Sequence, residues 1–163
     1  MEILSDGTRA IAIGKERVAE VHSLISGCSK GDVVPPGYSF TLEETMALFD
    51  DDTRPHAELR TVVGVLDTDG LLEGVVTLQP FELDGSACLE FMIFFRFSSR
   101  GTGAPVRVTE DVLSRLRRNS QIPVVTLVYE KNSKGKRFYT KAGFAFDRRV
   151  RFEDFSLELW KLQ

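Results

Sequence analysis

The sequence has 163 residues, of which 42% are hydrophobic and 28% charged, as expected for one globular domain with a sizeable core and not for a disordered chain. The formal net charge of −3 argues against a nucleic-acid-binding surface that covers the whole domain. No apolar run reaches about 18 residues, and the first residues lack the basic start and apolar segment of a secretory signal. We therefore predict a cytoplasmic protein without a membrane span.

Cysteine and histidine usage gives no sign of a disulfide framework or a metal site. Cys28 and Cys88 are far apart in the sequence and form no CxxC pair, so we interpret both as reduced and buried. His22 and His56 are the two histidines, and no metal-ligand spacing surrounds them. We predict no bound metal.

The first half of the chain predicts one strand, two helices and three antiparallel strands. Thr41 and Glu44 form a capping-box pattern, and the helix that follows carries Leu42, Met46 and Phe49 on one face. Asp-Gly pairs at 69–70 and 84–85 are typical of tight hairpins. The predicted elements are a strand at 9–13, helices at 15–25 and 41–49, and strands at 59–67, 72–81 (ended by Pro80) and 87–97.

The second half alternates helices and strands. Four apolar residues lie at helical spacing within 106–118, and 123–128 is a continuous apolar run, as in a strand buried on both faces. A further helix at 133–144 is stopped by Gly143, and two alternating strands follow at 145–152 and 155–162. The order β-α-α-β-β-β-α-β-α-β-β predicts a single α/β (α+β) domain over 1–163, with helix 106–118 joining two parallel strands.

The stretch RGTGAPVRV at 100–108 combines glycines, an arginine and a helix start. Gly101 and Gly103 would let backbone N–H groups approach an anion closely. The helix N-terminus adds about half a positive charge, and Arg100 adds a cation. Gly-x-Gly before a helix is also common in plain turns, so this loop alone leaves a phosphate site and a simple turn open.

A second stretch, LVYEKNSKGKRFYTKAGF at 127–144, decides between them. Asn132 follows a strand, a small Gly135 stands three residues later, and Phe-Tyr at 138–139 and Gly-Phe at 143–144 follow. With Arg100 before the third helix, this pattern resembles the GNAT superfamily of GCN5-related N-acetyltransferases. The resemblance extends over nearly the whole chain through the element order, and is most specific over 95–144.

The resemblance implies the acyl-CoA N-acyltransferase fold, with a mixed sheet of six or seven strands flanked by four helices. Its pyrophosphate motif, Arg/Gln-x-x-Gly-x-Gly/Ala, can start at Ser98 or at Arg100. The second register keeps the basic residue and turns the apolar face of the helix inward, so we prefer it. Its final position is then Pro105, which suits a first helical turn but brings no N–H.

The resemblance also implies acetyl-CoA as cosubstrate. The main chain near Phe94 and Phe95 would pair with the pantetheine arm like an added strand, and Asn132 would line the gap between two splayed strands. The pyrophosphate would lie against the backbone amides of a loop assisted by the charge of Arg100. Those amides belong to Gly101, Thr102, Gly103, Ala104 and Val106.

Two residues are implied as catalytic. Tyr139 would protonate the departing thiolate, although an aromatic at this position could also simply pack on the sheet. Glu90, which shares a strand face with Met92 and Phe94, would take the proton of the attacking amine; the alternative is a carboxylate on an exposed strand face. Glu73 and Glu82 are lesser candidates for the base.

Three functions follow as expectations. The first is acetyl transfer from acetyl-CoA to a primary amine by direct attack in a ternary complex. The second is a GNAT-like fold that binds CoA or a partner without turnover, which Pro105 would favour. The third is acetylation of aminoacyl-tRNA by a toxin, against which the acidic charge balance argues. The acidic run at 49–52 could attract a cationic acceptor, and the last hairpin implies a homodimer by analogy with the family.

Overall fold

In the computed structural model, which describes residues 2–3, 7–50 and 53–163, one mixed sheet runs in the order β1-β2-β3-β4-β5-β6-β8-β7. The seven longer strands and four helices confirm the predicted fold class and element order, and a two-residue β1 extends one edge. The strands are β1 (Glu2–Ile3), β2 (Arg9–Ala12), β3 (Thr61–Leu66), β4 (Leu72–Leu83), β5 (Ser86–Phe95), β6 (Val124–Tyr129), β7 (Phe144–Arg151) and β8 (Ser156–Leu162). The helices are α1 (Val18–Cys28), α2 (Leu42–Ala47), α3 (Ala104–Asn119) and α4 (Ser133–Lys141).

The parallel junction between β5 and β6 is short. It consists of the pairs Leu89↔Val124 and Glu90↔Val125, and no further pairing joins these strands among the described residues. Since β5 continues to Phe95 and β6 continues four residues beyond the junction, the two strands splay apart. The helix predicted at 106–118 does join two parallel neighbours, and a wedge-shaped gap opens between them.

The core has two main clusters on opposite faces of the sheet. Neighbouring residues of β4 point to opposite sides, and accordingly Val76 belongs to the cluster beneath α3 and α4, whereas Val75 belongs to the cluster beneath α1 and α2. The predicted apolar face of α3 is buried. Both faces of the central strands are thus covered, and the gap lies between two packed layers.

Helix α2 turns a different face inward from the one predicted. Its capping box is present, with reciprocal bonds between Thr41 and Glu44, and Phe49 packs on the core. Leu42 and Met46, however, are each 49% exposed, and Thr45 is fully buried. The reason is polar: the Thr45 hydroxyl donates to the carbonyl of Thr41 at 3.0 Å and lies 3.1 Å from His22 Nδ1, which anchors this side against α1.

Strand β4 continues past Pro80, where the sequence predicted its end. Pro80 lies opposite Leu89 in the β4–β5 ladder, and the N–H of Leu89 is bonded to Pro123 on the far side of β5. The proline nitrogen therefore faces away from β5. On that side β3 begins at Thr61, opposite Leu78, so Pro80 lies past the paired region and no ladder bond is lost.

The two cysteines are buried and free. Cys28 lies in the cluster beneath α1, and Cys88 lies in a third, smaller cluster with Val125 and Leu159. Within the described ranges, no helix combines the length and the apolar character that a membrane crossing requires.

Candidate active site

Two cavities meet where β5 and β6 diverge. The acceptor-side cavity, as we name the first, has a volume of about 370 Å³ and extends toward 33–40 and the β7–β8 turn. The loop-side cavity, about 400 Å³, extends toward the glycine loop before α3. Both are lined by Val33, Ile93, Arg100, Asn132 and Tyr139. A ligand placed in the gap can therefore reach both cavities.

The glycine loop forms one wall of the loop-side cavity. Gly101 and Gly103 have φ of 87° and 83°, in the left-handed region that glycine adopts without strain. Among the described residues, apart from the two chain neighbours of Gly101, no atom lies within 4 Å of the position that a Cβ would take at Gly101, which leaves the backbone open to a ligand. Pro105 and Val106 continue the same wall.

The start of α3 leaves backbone donors available beside this wall. The first N–H of the helix bonded to a carbonyl is that of Arg107, which donates to Gly103 at 3.1 Å. The N–H groups of Ala104 and Val106 precede that bond and belong to the open first turn. The N–H of Ala104 makes a long contact of 3.4 Å to the Thr102 hydroxyl, and Pro105 has no N–H to offer. An anion here would meet the positive end of a helix dipole.

Cations surround the same loop. A Cβ on Gly103 would lie 3.0 Å from Arg107 Nη1, so the Arg107 guanidinium lies over the glycine. Lys134 and Arg100 line the loop-side cavity itself. Sequence reasoning missed Arg107 and Lys134, although Arg107 stands one helical turn after Gly103, the spacing that brings a side chain back to a helix start.

The open edge of β5 faces the gap through alternate residues. Arg96 N–H donates to Glu73 O, so even-numbered residues of this segment, including Phe94, direct their main chain toward β4, and odd-numbered ones face the gap. Ile93 and Phe95 therefore present main-chain groups there, and Ile93 was absent from the sequence prediction. The Phe95 carbonyl accepts from Cys28 Sγ at 3.1 Å and from Arg100 Nε at 3.2 Å.

Asn132 caps α4 and explains the small residue that follows it. Its Oδ1 accepts a hydrogen bond from the N–H of Gly135 at 2.9 Å. A Cβ at Gly135 would overlap the Asn132 amide, so a larger residue would displace the cap. The predicted Asn-x-x-small pattern thus fixes the start of α4 at the edge of the gap.

Tyr139 combines a packed ring with a hydroxyl at the gap. Its ring makes edge contacts with Phe91, Phe138 and Phe144, at centroid distances of 6.3, 5.5 and 5.6 Å. Burial raises the pKa of the phenol to about 12, although a hydrogen bond from Thr126 acts in the opposite direction. The ring is therefore part of the core, the residue lines both cavities, and the acid role of Tyr139 stays a prediction.

Glu90 lines the acceptor-side cavity at the last paired position of the β5–β6 junction. Burial raises the pKa of its carboxyl to about 7, and the charge of Arg54 opposes that shift. The charge of Glu90 in turn raises the pKa of Tyr139, so the two groups lie close enough to interact. The acceptor-side cavity is thus lined both by a carboxyl whose pKa is raised to about 7 and by a phenol whose pKa is raised to about 12.

Comparison with solved structures identifies this architecture. A GCN5-related N-acetyltransferase from Kribbella flavida superposes with a TM-score of 0.69 at 16% identity, covering 94% of this chain and 96% of that one. The putative acetyltransferase yncA from Salmonella typhimurium, solved with its cofactor acetyl-CoA, superposes with a TM-score of 0.73 at 14% identity, covering 96% of this chain and 93% of that one. An N-acetyltransferase from Staphylococcus aureus Mu50 superposes with a TM-score of 0.74 at 16% identity, covering 96% of this chain and 98% of that one.

The chain has the GNAT fold. The resemblance stated from residues 95–144 is thereby confirmed at the level of the fold. No protein-family model matches the sequence, and no curated protein matches it either. Within the GNAT fold, the splayed strands, the glycine loop and Tyr139 stand in one continuous cleft.

The remaining predicted acidic residues lie outside this cleft or outside the described residues. Glu73 accepts a short hydrogen bond from the Ser99 hydroxyl, and Glu82 is exposed near the distal end of β4. Neither lines the two cavities of the GNAT fold described above. Of the acidic run at 49–52, residues 51 and 52 lie outside the described residues, so its attraction for an acceptor stays a prediction.

Proposed function

We propose that this chain is an N-acetyltransferase that moves the acetyl group of acetyl-CoA to a primary amine by direct attack in a ternary complex. The observation that carries the proposal is that Glu90 and Tyr139 both line the acceptor-side cavity, beside the point where β5 and β6 separate. The GNAT fold supports it, as does the acetyl-CoA bound to yncA. The amine would enter through the acceptor-side cavity and the donor through the loop-side cavity.

The loop-side cavity has the chemistry that acetyl-CoA requires. The open N–H groups at the start of α3 and the charges of Arg100, Arg107 and Lys134 would hold the pyrophosphate. The pantetheine arm carries amides, which would bond to the main chain of β5 at Ile93 in the manner of an added strand. The thioester would then lie beside Tyr139.

Glu90 and Tyr139 would each move one proton. An ammonium acceptor first releases one proton to solvent to become the free amine; Glu90, once ionised, then accepts the second proton, directly or through water, as the C–N bond forms at the thioester carbon. The C–S bond then breaks, and Tyr139 donates its proton to the thiolate. Each transfer contributes about 10²–10⁴-fold in rate when the group is well placed. A carboxyl group and a phenol group whose pKa values lie far apart suit these opposite roles, because one can be ionised while the other stays protonated.

The cysteines support direct attack over a covalent acyl-enzyme. Cys28 lines the acceptor-side cavity, but its thiol donates to the Phe95 carbonyl, and burial raises its pKa, although the charge of Arg100 opposes this. Burial also raises the pKa of Cys88. A thiol kept protonated is a poor nucleophile.

The first test is acetyl-CoA binding by calorimetry on the wild type and on Tyr139→Phe. Both should bind equally, because the phenol oxygen serves the chemical step, while kcat with an accepted amine should fall by about 10²–10⁴-fold in the variant. Failure of both proteins to bind at millimolar concentration would reject the proposal.

A second candidate, binding of CoA without turnover, is favoured by Pro105, which withdraws one N–H from the pyrophosphate wall. Binding in both proteins, with no transfer to any amine of a broad library, would favour this second function.

A further inference from the structure

Aromatic side chains enclose the acceptor-side cavity from two separate segments. Tyr38 and Phe40 come from the loop before α2, and Phe152 and Phe155 come from the β7–β8 turn. The two segments touch: the Tyr38 and Phe155 rings meet edge to face at 5.9 Å. Phe152 stacks on Phe155 at 5.1 Å. The far end of the cavity is thus a set of rings held together by ring contacts.

Another pair of aromatic rings lies on the β5 face that carries Glu90. Phe40 packs against Phe94 of β5 at 6.1 Å, and Phe94 shares a strand face with Glu90. The rings therefore form two groups in the cavity wall, one at the β7–β8 turn and one around Phe94, and Met92 lies between Phe94 and Glu90 on the same strand face. A molecule that fills the cavity would contact rings along its body and a carboxyl group at its reacting end.

Negative charge in this cavity is limited. Among the described lining residues the carboxylates are Glu44 and Glu90. Glu44 accepts the N–H of Thr41 at 2.6 Å as part of the helix cap, and Glu90 must accept the proton of the amine. Both line the same cavity as Tyr38, and burial raises the pKa of the Tyr38 phenol, with the charges of Glu44 and Glu90 acting in the same direction. Further ammonium groups on a substrate would have few partners here, and burying an unpaired charge is costly.

We propose that the acceptor is a primary amine with a single positive charge on a flat apolar body, of the arylalkylamine class, held between the aromatic walls with its nitrogen toward Glu90. The inference rests on the proposed function for the identity of the reacting group. Its specificity-determining residues are Tyr38, Phe40 and Phe155. The cavity of about 370 Å³ lies at the lower end of the range of about 300–1,000 Å³ that small-molecule sites occupy.

The test compares amines of matched reactivity on the wild-type protein. Phenethylamine and tryptamine, n-butylamine, and the polyamines putrescine and spermidine are each assayed for CoA release. The kcat/KM of phenethylamine should exceed those of n-butylamine and spermidine by at least about tenfold. The ring buries additional apolar surface, and each Å² of buried apolar surface stabilises the complex by about 25 cal/mol. A polyamine preference, or equal rates for phenethylamine and n-butylamine, would overturn the inference and leave the proposed function intact.

Phe155→Leu locates the selectivity. It should raise KM for phenethylamine by about 2–10-fold, the value of a lost ring–ring contact, with kcat and the Kd of acetyl-CoA unchanged and KM for n-butylamine changed less than about twofold. Phe146→Leu is the matched control, since Phe146 is 52% exposed on β7 and contacts Trp160 outside the cavity. An equal effect of both variants would overturn the assignment.

Direct binding separates the two proposals. Calorimetry on the protein saturated with CoA should show that phenethylamine binds. Its Kd should be higher in Phe155→Leu than in the wild type, and spermidine should bind the wild type more weakly than phenethylamine does. Binding of this kind without any turnover would support the aromatic site and reject the transferase. Turnover of other amines without binding of phenethylamine would support the transferase and reject the aromatic acceptor site.

Discussion

Glu90 gains its chemical character from the position of one side chain on one strand. It stands at the last paired position before β5 and β6 separate, where water can reach it through the acceptor-side cavity but low-polarity groups surround it. Burial therefore raises the pKa of its carboxyl to about 7. Tyr139 is buried more completely, and its phenol pKa of about 12 keeps it protonated.

The pKa of Glu90 predicts the pH dependence of catalysis. The base must be ionised, so kcat/KM should rise with pH up to about 7 and level off above it, because the ionised fraction of the free enzyme increases through that pKa. Glu90→Gln should lose this rising limb and lower kcat by about 10²–10⁴-fold. Initial rates between pH 5 and 8.5 measure both effects.

Glu82→Gln is the matched control for that profile, since Glu82 is an exposed carboxylate on β4. It should retain the wild-type curve. An unchanged rising limb in Glu90→Gln would assign the base to another group.

The same carboxyl predicts a pH-dependent stability difference. A folded-state pKa raised above the unfolded value means that the protonated form is favoured in the folded protein, and stability is lost as pH rises from about 4.5 to about 7. Glu90→Gln removes this loss. Its Tm should match the wild type near pH 4.5 and exceed it at pH 8 by up to about 7–14 °C, since the difference between 4.5 and about 7 corresponds to about 3.4 kcal/mol and each kcal/mol shifts Tm by about 2–4 °C in a domain of this size.

Calorimetric scans at pH 4.5 and pH 8 would check that difference. A constant Tm difference at both pH values would show that the amide acts by packing and not by removing a charge.

At the scale of elements, α3 starts with a proline in its first turn, and this sets the number of phosphate donors. Gly103 caps the helix in a left-handed conformation without a side-chain bond, so ligand binding must rely on backbone N–H groups. Pro105 keeps its fixed φ at a position where the helix tolerates it and removes one of those groups. The loop is thus well formed but one donor short.

Pro105→Ala should restore that donor. The Kd for acetyl-CoA should fall by about tenfold, since a hydrogen bond to a charged group contributes about 1.5–3 kcal/mol, while Tm without ligand should fall slightly because the unfolded chain gains freedom. Calorimetry measures the affinity. Acetyl-pantetheine, which lacks the pyrophosphate, is the control ligand, and equal tightening for both ligands would refute the role of the added N–H.

Sequence reasoning predicted elements better than the faces and contacts between them. Periodicity and capping patterns found the strands and helices, and the Asn132–Gly143 pattern found the fold, because both signals are local in sequence. The face of α2 that turns inward could not be predicted from its own sequence, because a hydrogen bond between Thr45 of α2 and His22 of α1 determines it. The contact of Tyr38 with Phe155 was missed because the fold brings together two segments far apart in the sequence, whereas Arg107 could have been found from its spacing of one helical turn after Gly103.

At the scale of the whole molecule, the sheet is two half-sheets joined by two parallel residue pairs and covered on both faces. A ligand in the gap contacts β5 on one side and α4 on the other. Binding to the folded state alone stabilises a protein by RT ln(1 + [L]/Kd), about 2.7 kcal/mol at 100 times Kd. The cosubstrate should therefore act on the stability of the entire domain.

Acetyl-CoA at 100 times its Kd should raise Tm by about 5–11 °C, from about 2–4 °C per kcal/mol. Differential scanning fluorimetry over a concentration series measures this, and Tyr139→Phe should show the same increase. A shift that stops at the level given by adenine nucleotide alone would mean that the pantetheine arm does not occupy the gap.

The two-pair junction has a consequence for how long the protein survives after synthesis. Until a donor molecule fills the gap, the segment from β6 to the end of β8 is tied to the remaining sheet by little main-chain bonding. Opening at this seam exposes strand edges to proteases, and degradation follows the population of the open form. We expect the half-life of the chain in the presence of a protease to lengthen as acetyl-CoA is added.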